Sequence, residues 1–222
     1  MGMKTLKNDE ISKKTHFKGY LLPGNVLSAS IIGIFAALIC VLTMIISIPV
    51  PATQGFINIG DAGVMISGLL FGPIVGGLSG GIGSALADIF LGYTIYAPGT
   101  LIIKGLEGFV VGLIANPKRY YKKLNYRDIL AVVVGGAIMA FGYFFYEIIL
   151  FGIQAAIYEI ILNGIIQFGL GGLLAIAFIV SARKSIVDNL PQVFDKIFIN
   201  LNNTLEKHLP ENLEVDENQE NK

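Results

Sequence analysis

Six ionisable side chains lie in stretches of this sequence that are otherwise apolar. A buried charge is costly unless it is paired, so each should meet either another side chain or a polar solute. Asp88 and Lys104 could pair with each other, and glutamates near helix ends could simply reach the membrane interface. The chemistry these groups could support is hydrogen bonding and charge pairing with a small molecule. The six are Asp61, Asp88, Lys104, Glu107, Glu147 and Glu159.

The last apolar stretch carries the clearest pattern. Glu159, Asn163 and Gln167 are spaced i, i+4, i+8 and share one face of an α-helix, which continues as Gly171 and Ala175. Two preceding helices should place polar side chains at the same level, in the outer half of the membrane. A pore would carry polar groups across its whole thickness, so this pattern predicts a pocket open to the outside. The polar residues of those two helices are Lys104, Glu107, Tyr143 and Glu147.

Other chemistries lack the residues they need. Ser79 lies in a Gly-Leu-Ser-Gly sequence typical of intramembrane serine proteases, but the two histidines, His16 and His208, lie in the tails. A serine nucleophile needs a base within hydrogen-bond reach. The sequence has no phosphate-binding G-x-x-x-x-G-K-[ST] loop and no His/Cys cluster, so we expect no ATPase activity, metal or cofactor.

Composition places these residues in a membrane protein. Hydrophobic residues make up 54% of the 222 residues and charged residues 14%, against about 25% in soluble domains. Residues 19–60 contain no Asp, Glu, Lys, Arg or His. A water-facing surface cannot be built from such a stretch. The formal net charge of zero gives no indication of nucleic-acid binding.

The apolar pattern predicts an all-α, polytopic membrane protein with six transmembrane helices. A crossing needs about 20 apolar residues. Residues 61–91 are too long for one crossing, and Gly72-Pro73 should end a short second helix near Phe71. A single kinked helix there would reduce the total to five. The other predicted helices are Val26–Ile48, Ile74–Leu91, Gly99–Ala115, Ile129–Phe151 and Ala156–Ser181.

Basic residues set the predicted orientation. They cluster before the first helix, between the fourth and fifth, and after the sixth, which puts both termini in the cytoplasm. Only an even number of crossings allows this. We therefore expect a basic cytoplasmic N-terminus (1–25), a membrane domain (26–182) and a cytoplasmic tail (183–222). The tail should begin as an amphipathic helix and end in disorder.

Small residues recur at helical spacing in two places. Gly68, Gly76 and Gly80 belong to a stripe that should pack the second and third helices together, since small residues let helix backbones approach in lipid. A second stripe lies on the first helix. Spacing alone leaves open whether it packs internally or faces a partner protein. Its residues are Ala29, Gly33 and Ala37.

Several short motifs together resemble the substrate-binding S components of energy-coupling factor (ECF) transporters, closest to the riboflavin and hydroxymethylpyrimidine branch. The similarity covers residues 26–182. The motifs are Ile57-Asn58-Ile59-Gly60-Asp61, Leu70-Phe71-Gly72-Pro73 with the glycine run, Gly83-Ser84-Ala85-Leu86-Ala87-Asp88, Gly92-Tyr93, Ala97-Pro98 and Lys104-Gly105.

The resemblance implies vitamin uptake through a prokaryotic plasma membrane, with a transmembrane coupling subunit and two cytoplasmic ATPases as partners. It implies that Ala29, Gly33 and Ala37 contact the coupling subunit. It also implies that the loop after the first helix, with Gln54 and Asn58, closes over a site lined by the last three helices. Carboxylates with Asn and Gln suit an aminopyrimidine or pyridoxine, and riboflavin stays open. An intramembrane enzyme acting on lipid and a ligand-free scaffold are the alternatives from other classes.

Overall fold

The computed structural model describes residues 16–17, 20–21, 23, 26–51, 54–117, 123–191 and 193–194. These residues form a bundle of apolar helices with two short antiparallel hairpins. The helices are α1 Val26–Ile45, α2 Gly60–Phe71, α3 Pro73–Leu91, α4 Ala97–Ala115, α5 Tyr126–Phe151, α6 Ile153–Ile161 and α7 Phe168–Asn189. A π-helical segment, Leu162–Gln167, lies between α6 and α7.

Five of these helices are long and apolar enough to cross a membrane: α1, α3, α4, α5 and α7. The α2 helix is also apolar but has only 12 residues, a length of about 18 Å. The helical, polytopic architecture predicted from composition is therefore confirmed. The number of crossings and the side on which the termini lie stay predictions.

Two hairpins were not anticipated by the sequence pattern. β1 (His16–Phe17) pairs with β2 (Tyr20–Leu21), and β3 (Ser47–Val50) pairs with β4 (Gly55–Asn58). The first helix consequently ends at Ile45, three residues before the predicted end. Pro49 lacks the backbone donor that a continuing helix would need, so the chain turns into an extended strand instead.

The Gly72-Pro73 break separates two helices that fold back on each other. Gly72 has φ 89°, a conformation that favours glycine, and Pro73 then starts α3. Ser79 Oγ donates to Ser67 Oγ across the pair at 3.2 Å. A Cβ added to Gly76 would lie 2.7 Å from Gly68 Cα. The glycine stripe therefore packs internally, as predicted, and α2 and α3 are separate antiparallel helices.

The same glycines also allow α4 to pack closely against α3. A Cβ on Gly108 would lie 2.2 Å from the Gly76 carbonyl oxygen, so the two backbones are in direct contact.

The stripe on α1 behaves differently. Ala29, Gly33 and Ala37 are exposed, and a Cβ added to Gly33 would meet no atom within 4 Å. Among the described residues nothing packs on this face of α1.

A buried ion pair joins three helices at the end of the bundle away from β3 and β4. The Arg183 guanidinium donates to both Asp128 carboxylate oxygens, at 2.7 and 2.9 Å, and to the Leu69 carbonyl at 3.1 Å. Asp128 also forms a capping box with Asn125, which starts α5 at Tyr126 rather than at the predicted Ile129. Nearby, Arg127 Nε donates to the Ile114 carbonyl of α4 at 2.8 Å.

Tyr20 contributes a further bond at this end, where its hydroxyl donates to Asn116 Oδ1 at 2.9 Å. Burial raises the pKa of Tyr20, with Arg127 opposing the shift, so the hydroxyl keeps its proton at neutral pH. Helix α7 continues to Asn189 through the predicted domain boundary at residues 182 and 183. Of the predicted tail helix, Val193 and Phe194 are described; the residues from 195 onward lie outside the described part.

We expect Arg183→Met to lower the free energy of unfolding by about 3–5 kcal/mol, because it leaves the Asp128 carboxylate buried without its cation. Adding Asp128→Asn should recover part of this loss, since Asn retains an acceptor for the capping box. Thermal unfolding in detergent is the measurement. Lys184→Met, which removes an exposed cation from the neighbouring position, is the control and should change little. If Arg183→Met and Lys184→Met destabilised the protein equally, the result would contradict a specific role for the Arg183–Asp128 pair.

Candidate functional site

A polar pocket lies where the β3–β4 hairpin meets the ends of α3 and α5 and the start of α4. It is also bordered by the last residue of the π-helical segment. The elements that line it are far apart in sequence and meet at one end of the bundle. The lining residues are Phe56, Asn58, Asp88, Tyr96, Thr100, Tyr143, Glu147 and Gln167.

The hairpin covers one side of the pocket and is held there by two contacts. The backbone N–H of Asn58 donates to Gln167 Oε1 at 3.0 Å. The Phe56 ring packs on Tyr93 with a centroid separation of 4.6 Å. Asn58 Oδ1 accepts from the Gly60 N–H at 2.8 Å, which fixes the turn from β4 into α2. Gln54, also predicted to bind substrate, lies exposed at the hairpin tip with φ 55° and does not line the pocket.

A π-helical segment interrupts the last helical stretch, where the stripe of Glu159, Asn163 and Gln167 was predicted. Leu162–Gln167 is π-helical, with i→i+5 bonding, so the i, i+4, i+8 spacing does not place residues on one face as it would in an α-helix. Gln167 lines the pocket and is 2% exposed. The side chains of Glu159 and Asn163 lie outside the described part of the structure, so their place in the site stays a prediction.

Aromatic rings form a second wall of the pocket. Tyr96 and Tyr143 line it, and the Tyr143 hydroxyl is within hydrogen-bond distance of Thr100 Oγ1 at 2.9 Å. Tyr146 packs on Tyr96 and donates to the Ile95 carbonyl at 2.7 Å, which braces the wall from behind. Tyr158 is 65% exposed and does not line the pocket.

Lys104 lies behind the pocket rather than in it. Its ammonium forms a hydrogen-bonded salt bridge with Asp61 and a second one, of 3.1 Å, with Glu107. All three side chains are almost completely buried. The Lys104 Nζ also lies 5.6 Å from the Tyr143 ring centroid, on the far side of the pocket wall. Two predicted binding residues, Lys104 and Glu107, are thus occupied with Asp61 and do not line the pocket.

Because Lys104 is paired elsewhere, Asp88 does not have the partner that the sequence suggested. A pair between Asp88 and Lys104 was one prediction from the sequence, but the Lys104 ammonium pairs with Asp61 and Glu107 instead. Asp88 is 4% exposed. It lines the pocket together with Glu147, which is fully buried and was predicted to bind substrate.

Four lining residues were missing from the predicted site: Phe56, Asp88, Tyr96 and Thr100. The charge of Asp88 in an apolar stretch was a usable signal, but the choice of its partner depends on helix packing. Thr100 and Tyr96 lie next to a helix start and give no periodic signal. The predicted residues that do line the pocket are Asn58, Tyr143, Glu147 and Gln167.

Comparison with known proteins gives a consistent result. Residues 25–184 match the family described as "ECF-type riboflavin transporter, S component". The chain is 31% identical over 152 residues to the thiamine precursor transporter HmpT of Lactococcus lactis subsp. cremoris (strain MG1363). That match covers 68% of this chain and 84% of HmpT.

Two further relatives have less informative names. A protein of Pyrococcus woesei, described as an uncharacterized protein in the gap 3' region, is 43% identical over 129 residues. The match covers 58% of this chain and 83% of that protein. A UPF0397 protein of Streptococcus pneumoniae serotype 19F (strain G54) is 38% identical over 103 residues, which is 45% of this chain and 54% of that protein.

We expect Gln167→Leu to loosen the hairpin, because the Asn58 N–H loses its acceptor. Hydrogen–deuterium exchange of the peptide covering Gly55–Asn58 should speed up by about 5- to 13-fold, the equivalent of a neutral hydrogen bond of about 1–1.5 kcal/mol. Gln167→Glu is the matched control, since its carboxyl oxygen preserves the acceptor and should preserve slow exchange. If Gln167→Leu exchanges like the wild type, the 3.0 Å bond does not hold the hairpin.

Proposed function

Because this chain belongs to the family of S components of ECF-type riboflavin transporters, we propose that it captures a vitamin or vitamin precursor from outside a prokaryotic cell. The chain is a component of a membrane transporter rather than an enzyme. The observation that carries the proposal is the pocket between the β3–β4 hairpin and the helix ends. It combines two buried carboxyl groups with two amide side chains and an aromatic wall.

The lining favours a small solute that donates hydrogen bonds. Asp88 and Glu147 accept hydrogen bonds when ionised, and the pocket lining contains no lysine or arginine. Tyr96 and Tyr143 offer rings against which a flat heterocycle can pack. Amide groups of Asn58 and Gln167 add further polar contacts at the hairpin side. An aminopyrimidine or pyridoxine offers the donors and the single aromatic ring that this lining suits.

The lining also suits the smaller members of the vitamin class. It offers two carboxyl groups, two amide groups and two tyrosine rings, which match the donors and the single ring of a small heterocycle. The relative described as a thiamine precursor transporter supports the same choice. We therefore place the substrate in the hydroxymethylpyrimidine or pyridoxine class.

The orientation follows from the distribution of charge. The proposed topology has six crossings and cytoplasmic termini, with α2 and α3 as separate crossings and α6, the π-helical segment and α7 as the last. Lys and Arg are concentrated at the end of the bundle that carries the Arg183–Asp128 pair, which the positive-inside rule assigns to the cytoplasm. The pocket lies at the opposite end and so opens to the outside.

Transport further requires a source of energy, which we propose is a transmembrane coupling subunit with two cytoplasmic ATPases. The exposed small-residue stripe on α1 supports a docking place for the coupling subunit. Ala29, Gly33 and Ala37 leave a shallow, unoccupied face on which a second helix can approach closely. Glu159 and Asn163 remain proposed binding residues on the helical stretch beside the pocket.

Purified chain should bind hydroxymethylpyrimidine or pyridoxine saturably in a calorimetric titration, and riboflavin should compete poorly because its ring presents mainly oxo groups, rather than amino donors, to the carboxyl groups of the lining. Native mass spectrometry of protein purified without added ligand provides an independent measurement of the metabolite that copurifies. Tight riboflavin binding with no binding of either single-ring compound would contradict the assigned substrate class. Binding of no vitamin-like compound would contradict the proposed function as a whole.

Gly33→Leu should abolish copurification with the coupling subunit and leave ligand affinity within about twofold of wild type, a change of under about 0.5 kcal/mol. The leucine would hold a partner helix away from α1, which contributes no residue to the pocket lining. Gly169→Leu is the matched control, since Gly169 is also exposed with no atom near an added Cβ. An intact complex with Gly33→Leu would show that the coupling subunit docks elsewhere.

A further inference from the structure

Among the buried acids at the pocket end of the bundle, Asp88 differs in its surroundings. Asp61 and Glu107 share the single ammonium of Lys104, so each has a basic partner within the protein. Asp88 has no basic side chain within salt-bridge distance in the described part of the chain. Its Oδ2 atom is buried and accepts no hydrogen bond from any described residue.

Two hydroxyl groups share the pocket lining with Asp88. The Tyr143 hydroxyl and Thr100 Oγ1 are 2.9 Å apart, within hydrogen-bond distance of each other. Glu147 lines the same pocket. The buried Asp88 Oδ2 is therefore an acceptor that a ligand in this pocket can reach.

An acceptor in that position is costly to leave unsatisfied. A buried carboxylate oxygen without a donor loses its hydration and gains nothing in return. Asp88 lines the pocket, so a ligand can supply the missing donor without any rearrangement of the helices. The requirement is for a nitrogen that carries a proton, as an exocyclic amino group or a protonated ring nitrogen does. A ring oxygen or an oxo group would face the carboxylate with a lone pair.

We propose that Asp88 is the specificity-determining residue of the pocket, and that it selects heterocycles that present an amino group or a protonated ring nitrogen. This inference rests on the proposed function and narrows its substrate class. Glu147 lines the same pocket and adds to its negative potential, which disfavours vitamins that carry a carboxylate. Lys104 does not offset this potential fully, because its charge is shared by two carboxylates.

The test compares two probes that differ at one group: hydroxymethylpyrimidine with its exocyclic amino group, and the analogue in which a hydrogen replaces the amino group. Both are titrated calorimetrically into wild type and Asp88→Asn. The asparagine keeps the shape of the side chain and replaces one acceptor oxygen with an NH₂ donor. Ser84→Ala is the control, since Ser84 is buried one turn earlier on α3 and does not line the pocket.

Wild type and Ser84→Ala should prefer the amino compound. Asp88→Asn should bind it about 10- to 150-fold more weakly, the range for a hydrogen bond to a charged group, while its affinity for the analogue without the amino group is unchanged. An unchanged preference in folded Asp88→Asn would overturn the inference. Wild-type protein that binds both probes equally would overturn it without any variant. Wild-type protein that binds neither would overturn the proposed function with it.

Discussion

The pairing of Lys104 with Asp61 and Glu107 determines how the pocket end of this molecule is built. An unpaired charge is costly among apolar helices, so the pairing of the ammonium with its two carboxylates favours the packing of α2 on α4. That pairing ties Asp61, the second residue of α2, to the middle of α4. The β3–β4 hairpin leads directly into α2, so the same pairing fixes where the hairpin ends.

The close approach that this pairing needs is provided by glycine. Gly76 and Gly108 bring the backbones of α3 and α4 into contact, and Gly68 does the same between α2 and α3. Larger side chains would separate the three helices by several ångströms and pull the ammonium away from its partners. Packing and electrostatics are therefore mutually dependent. The glycines allow the helices to approach closely enough for the salt bridges of Lys104 to form, and these salt bridges stabilise the close packing.

The two ends of the bundle use their buried charges in different ways. At one end Arg183 and Asp128 compensate each other fully, with carbonyl and capping contacts completing the set, and the result is a rigid joint between helices. At the other end the acids outnumber the basic side chains among the described residues, and the excess borders a pocket. A protein that must hold a polar solute inside a membrane needs such an excess on the side from which the solute arrives.

Much of this architecture can be derived from the sequence because lipid restricts the choices so strongly. Apolar stretches of crossing length, the Gly72-Pro73 break, the internal glycine stripe and the level of Tyr143, Glu147 and Gln167 depend on composition and local spacing alone. Partner choice among the buried charges does not. The sequence predicted Asp88 as a possible partner for Lys104, and only the packing of α2 beside α4 brings Asp61 to it instead. The β3–β4 hairpin and the π-helical segment likewise depend on contacts between distant residues, such as Asn58 with Gln167, that no local pattern encodes.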